Sequence, residues 1–142
     1  MTGSALRISL DPAELDVGMI HQYLSQESYW ARGLPREVLD RALAHSLCFG
    51  GFLENRQVAF ARAVTDRATF AHLKDVFVLP AFKGRGFGRA LMQAVMAHTD
   101  LKSVAFTLAT DDAHRLYERF GFALYPHPER FMLRPGSFLR TE

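Results

Sequence analysis

A single cysteine, Cys48, excludes an internal disulfide and a cysteine-built zinc site. It lies in SLCFGGF, an apolar stretch that suits a small buried side chain better than a nucleophile. No apolar run approaches the roughly 20 residues that a membrane helix needs. The N-terminal MTGSALRISLDPAEL has no basic stretch followed by an apolar one, so no secretory signal is expected and the expected location is cytoplasmic. Net charge is only +2, too little to make nucleic acid the main partner. Lysine is scarce too. Lys74, Lys83 and Lys102 are the only three among 17 bases; the rest are arginines, whose fork geometry suits anions. There are no repeats and no low-complexity segments.

The 142 residues fit one domain, taken as residues 1–142, with 49% hydrophobic and 23% charged residues, the balance of an ordinary soluble globular chain. ALRISL (5–10) alternates as a strand does. Val17, Ile20 and Leu24 recur at helical spacing, which predicts a helix over 13–26. SQESYWARGLP (25–35) breaks the pattern, and Pro35 suits the first turn of a second helix. Two strands follow, LCFGGFLE and QVAFARAV, with a tight turn at Asn55. Residues 68–79 carry apolar residues on both alternating faces, as a covered central strand does. A helix is predicted over 87–98 and a strand over 103–109. A helix capped by Asp111 or Asp112 then runs to about Phe120, where Gly121 stops it. GFALY and RFMLR read as short closing strands. The fold class is α/β (α+β): a central mixed, mostly antiparallel twisted sheet of six or seven strands, flanked by about four helices.

The most informative stretch is LPAFKGRGFGRAL (79–91). Gly84, Gly86 and Gly88 fall at every second position, with Lys83, Arg85 and Arg89 among them. Glycine lets backbone N–H groups approach a ligand closely. A helix start adds free N–H groups and partial positive charge, so the two together favour an anion, most naturally phosphate. A Walker loop needs Gly-Lys-Ser/Thr, which is absent. The dinucleotide fingerprint GxGxxG would need glycine at Arg89. What remains is Lys83-x-x-Gly86-x-Gly88 after a strand.

A second motif lies downstream. AHRLYERFGF (113–122) closes a helix into an extended segment through Leu-Tyr-Glu and Gly-Phe. It resembles the C-terminal signature of the GNAT superfamily of acyl-CoA-dependent N-acetyltransferases. KGRGFG resembles that family's pyrophosphate motif, and one strand lies between the two motifs, as in the family. Lys83 stands where arginine or glutamine is usual, and Thr110 where many members carry asparagine.

The resemblance implies an acetyltransferase that uses acetyl-CoA and transfers the acetyl group directly to a primary amine in a ternary complex. The pyrophosphate would lie on the N–H groups from Arg85 through Gly86, Phe87 and Gly88 to Arg89, beside Lys83 and Gly84. The pantetheine arm would pair with the backbone of Phe77 and Val78, near Thr110. A main-chain N–H near Val78 would polarise the thioester carbonyl. The amine must attack uncharged. A lysine-like amine titrates near ~10.4, so deprotonating it at neutral pH costs roughly 4–5 kcal/mol. A general base or a water chain lowers that cost. His72 lies six residues before Val78, where histone-acetylating members carry a glutamate base. Asp75 is nearer the reaction centre, although simple alternation turns it away from His72. Taken alone, each reads first as structural, His72 as a packed strand histidine and Asp75 as a hydrogen-bonding group. Tyr117 resembles the family's tyrosine that protonates the leaving thiolate.

On the acceptor side, Glu27 is a third candidate base. Tyr29 and Trp30, the only tryptophan, either wall a pocket and hold an ammonium by cation–π contact or pack the helices onto the sheet. PHPERFMLR (126–134) offers His127, Glu129 and Phe131 as another wall, or forms an edge strand in a homodimer. Small amines, amino acids, polyamines, aminoglycosides and protein amines all remain open as acceptors. So does a non-catalytic acyl-CoA-binding module, which would keep the loop without the reaction. A nucleotide-phosphate protein is the third class, distinguished by protection with ATP. Neither a metal nor a membrane is expected in the function.

Overall fold

The computed structural model describes residues 5–139. Five strands form one sheet in chain order: β1 (Arg7–Ser9), β2 (Leu47–Leu53), β3 (Arg56–Thr65), β4 (Phe70–Val78) and β5 (Ala105–Leu108). The first four pair antiparallel, and β5 joins β4 in parallel. A parallel neighbour needs a crossover, which is why a helix lies between β4 and β5. The four helices are α1 (Val17–Gln22), α2 (Arg36–Ala44), α3 (Phe87–Ala97) and α4 (His114–Glu118).

Alternation along β3 supplies two faces. Ala59, Ala61 and Ala63 point into a core shared with Leu91, Met92 and Val95 of α3 and with Tyr117. These small residues give α3 room against the sheet. Phe60 points the other way, into a second core with Ile20, Leu24, Leu34 and Leu39. The sheet is therefore covered by helices on both faces, which accounts for the two apolar faces read in residues 68–79.

Several expectations are corrected. The predicted helix over 13–26 is divided: Asp16 caps α1, whose last turn widens into a π-helical turn at Tyr23–Glu27. In the β2–β3 hairpin the left-handed residue is Glu54 (φ 54°), not Asn55. Tight two-residue hairpin connections take positive φ at a central position. The helix after β5 is shorter than expected and starts at His114. Its approach is held by Thr110 Oγ1, which accepts the N–H of Asp112 (3.3 Å) and of Ala113 (3.0 Å).

The two closing strands are not formed, so the sheet has five strands rather than six or seven. Pro126 and Pro128 donate no ladder bonds and bias their predecessors away from regular pairing, and a 3-10 turn occupies Pro128–Arg130. Phe122 alone stays on the core, against Phe106 and Tyr117. Leu124, Met132 and Leu133 stand 80%, 96% and 85% exposed, and the outer edge of β5 has no partner among the described residues.

Candidate active site

β4 and β5 pair only from Phe70↔Ala105 to Leu73↔Leu108. Beyond that point β4 continues to Val78 while β5 ends, so the strands part. Leu79 N–H donates to Val58 O of β3 (2.9 Å). Alternation therefore turns the N–H of Val78 to the open edge. A groove of about 580 Å³ occupies the opening, walled by β4 residues 72–78, the 108–113 loop and Tyr117.

One end of the groove is the glycine loop. Gly84 (φ 82°) and Gly86 (φ 81°) are left-handed, which glycine adopts without penalty. Gly86 is the N-cap of α3 and offers no side chain to the free N–H groups there. A Cβ placed at Gly84 or Gly86 would meet nothing within 4 Å, and one at Gly88 would come no closer than 3.8 Å, to Leu116. The backbone thus faces open groove, not packed protein. Lys83 lines this end and makes no ion pair among the described residues. Arg85 and Arg89 are exposed just outside the wall, and the Arg85 guanidinium lies 5.2 Å from the Phe82 ring centre. Phe87 is buried as the first residue of α3.

The other end is aromatic and acidic. Glu27, Tyr29 and Trp30 come from the segment after α1; Asp111 and Asp112 come from the loop after β5. Tyr29 Oη accepts the N–H of Asp111 (3.3 Å), joining the two banks. Tyr29 meets Trp30 edge-on, with centroids 5.0 Å apart. Tyr23, which sequence reasoning missed, stacks on Phe77 at 4.0 Å. Its phenol is raised by burial, with Glu27 and Asp112 adding to the shift.

Asp75 sits at a bulge. Between Arg62↔Lys74 and Phe60↔Phe77, β4 uses one residue more than β3. The extra residue reverses the alternation: Ala71 and Leu73 face the α3 core, and so do Val76 and Val78. Asp75 carries the positive φ (58°) of this irregularity and is brought to the face that simple alternation denies it. Its two oxygens are both engaged. Oδ1 accepts from Trp30 Nε1 (2.9 Å), and Oδ2 accepts from Arg62 Nε (2.9 Å). Both ion-pair side chains are nearly buried. Arg62 was also missed, though an arginine inside an apolar strand signals that an acid must meet it. Removing one partner leaves the other charge uncompensated, at about 3–5 kcal/mol.

His72 lines the groove next to the paired part of the strands. Its Nδ1 lies 2.7 Å from Thr107 Oγ1, its register partner on β5. Burial holds its pKa below the ordinary value, and the charges of Lys74 and Arg62 push the same way. It is therefore neutral at neutral pH, with Nε2 left to the groove. Strand rise separates it from Val78 by roughly 20 Å, so it reaches that end only through water. Tyr117 is buried, and its hydroxyl makes no hydrogen bond to another described residue. Burial first, then Tyr29 and Asp112, push the phenol up to about 12. It keeps its proton at any working pH and remains a donor.

Residues 44–124, more than half of the chain, match the family described as acetyltransferase (GNAT) domain. A Gibberella zeae protein named as an acetyltransferase is 33% identical over 141 residues, covering 83% of this chain and 79% of that protein. Serotonin N-acetyltransferase 2, chloroplastic, of Oryza sativa subsp. japonica is 35% identical over 127 residues, and the match spans 83% of this chain and 62% of that protein. A crystal structure from Xanthomonas campestris pv. campestris, described as a GNAT-family acetyltransferase, is 51% identical over 94% of both chains, with a TM-score of 0.90. No described helix is long and apolar enough to cross a membrane. With its glycine loop, parted strands and family match, the chain belongs to the GNAT acetyltransferases, whose acyl donor is acetyl-CoA.

Proposed function

We propose that this protein moves the acetyl group of acetyl-CoA onto a primary amine by direct transfer in a ternary complex. The observation that carries the reading is the groove itself, which joins an anion-suited loop to a neutral histidine and a protonated phenol through an open strand edge. The residues fit the donor. A Cβ at Gly84 or Gly86 would meet open space, the first turn of α3 leaves its N–H groups without helical partners, Lys83 adds charge, and β4 offers an unpaired edge at Val78. Acetyl-CoA would supply an activated acetyl thioester. Around it, the N–H of Val78 would polarise the carbonyl, as an oxyanion donor does. His72 would take the amine's proton through water, and Tyr117 would donate a hydrogen bond to the departing sulfur.

Direct transfer is supported by the absence of a thiol from the groove among the described residues. Cys48 is buried on β2, and burial pushes its thiol up to about 11. The acids Glu27, Asp111 and Asp112 beside Tyr29 and Trp30 favour an acceptor that arrives as a cation and carries an apolar or aromatic body. Serotonin, the substrate named for the rice relative, has that character. The test is thiol release from acetyl-CoA with a panel of amines that includes serotonin, spermidine and a lysine peptide. Release with at least one amine supports the reading. Tight cofactor binding with no release for any amine, and no effect of Tyr117→Phe, would identify a binding module instead.

His72→Ala is expected to change the pH profile more than cofactor affinity. The lowered pKa places the acid limb of the wild-type kcat/KM below pH ~6.5. In the variant that limb should vanish along with most of the rate. Superimposable profiles would remove His72 as the base. For the expected homodimer, the exposed Leu124, Met132 and Leu133 and the open edge of β5 favour a contact through the C-terminal segment. Light scattering should then give twice the chain mass, and a monomer at 100-micromolar order would remove it.

A further inference from the structure

A chain of polar contacts crosses the acceptor-side face of the sheet and belongs to none of the roles above. Ser46 Oγ, just after α2, donates to Ala42 O (2.6 Å) and accepts from Arg62 Nη1 (3.0 Å). Arg62, on β3, donates through Nε to Asp75 Oδ2 on β4 (2.9 Å). Asp75 Oδ1 then accepts the indole N–H of Trp30 (2.9 Å). Four separate elements are thereby tied at one point, and that point is the bulge where β4 leaves β5.

We propose that Asp75 is a positioning residue: through Trp30 it pins the acceptor segment 28–31 to the bulge of β4, so that the aromatic wall and the donor edge keep one spacing. The inference rests on the acetyltransferase reading above. Four observations support it. Both carboxylate oxygens have partners within the protein, so the side chain is held in one orientation. The left-handed backbone at Asp75 is what turns its side chain toward Trp30 rather than into the α3 core. Trp30 is held at its polar end by Asp75 and at its ring by Tyr29 and Tyr23, so its orientation fixes the surrounding aromatics. Tyr29 in turn reaches Asp111 on the opposite bank. A rigid hydrogen bond in a largely desolvated place sets geometry more strongly than the same contact in water.

The tests exploit Trp30 being the only tryptophan. In the full-length protein its indole N–H gives one side-chain NMR signal. That signal should exchange slowly with solvent, and in Asp75→Asn, which keeps an acceptor oxygen but loses the charge, it should shift and exchange at least tenfold faster. Because Asp75→Asn can fail to fold with Arg62 left unpaired, Trp30→Phe provides the second arm. It removes the indole N–H together with the five-membered ring and leaves one aromatic ring in the wall. With serotonin and spermidine as probe amines, Trp30→Phe should raise the amine KM roughly tenfold. The coenzyme A dissociation constant should stay close to wild type, because the glycine loop is untouched. A merely structural contact would lower the melting temperature and leave the amine KM unchanged, which overturns the proposal. An unprotected indole N–H in the wild-type protein overturns it as well. Should the wild type acetylate neither amine while the indole is protected and responds to Asp75→Asn, the acetyl-transfer reading fails for these amines and the clamp stands.

Discussion

Gly88→Glu is expected to raise the dissociation constant for coenzyme A well over tenfold while the protein stays folded. The position is helical and lines the groove, and a Cβ there has only an ordinary contact, 3.8 Å from Leu116. The backbone accepts a side chain at that point, so a loss of affinity cannot be assigned to misfolding. A glutamate would occupy the space where phosphates approach and would set negative charge at the positive end of α3. Gly86→Asp should weaken binding comparably, but its left-handed φ of 81° adds backbone strain, of order 1 kcal/mol or more. The pair therefore separates the two effects: both variants lose affinity, and only the Gly86 variant loses appreciable stability. Calorimetry and thermal melting read the two quantities. An unchanged dissociation constant in folded Gly88→Glu would contradict the loop assignment.

Tyr117→Phe should lower kcat roughly 100-fold, within the range typical of a lost general-acid contact, with coenzyme A and amine affinities within about twofold. The ring remains, so packing against Phe122 and the α3 core is retained. Only the hydroxyl disappears. A phenol pushed up to about 12 is too weak an acid to hand its proton completely to a thiolate titrating near ~8.5. Its contribution is therefore a hydrogen bond to developing negative charge, available at every pH where the protein is folded. For that reason the loss should be uniform from pH 6 to 9, unlike that of His72→Ala. A kcat within threefold of wild type would exclude the role.

The glycine loop and the Leu-Tyr-Glu helix were legible because their requirements are local. Left-handed glycines, a helix start and an aromatic one turn before a glycine stop can all be read along the chain. The two-faced sheet was legible for the same reason, in the alternation of residues 68–79. The bulge at Asp75 was not, because an inserted residue in a strand has no fixed sequence cost, and aspartate tolerates the conformation. With it went the partnership of Asp75 with Arg62 and Trp30, 13 and 45 residues away in sequence. Thr107 was hidden similarly, since its contact with His72 depends on the parallel register of β4 and β5. The closing strands fail for a converse reason. Residues 121–134 carry two short apolar runs that read as strands, but the prolines between them remove ladder donors and break regular pairing, although the outer edge of β5 is open.

Crystallisation with acetyl-CoA tests the central claim most directly. The account predicts diphosphate density against the N–H groups of residues 84–89 and a thioester in the opening between β4 and β5, with its carbonyl within hydrogen-bonding distance of Val78 N–H. Cofactor density in another part of the molecule, with the glycine loop and the open edge of β4 untouched, would contradict it.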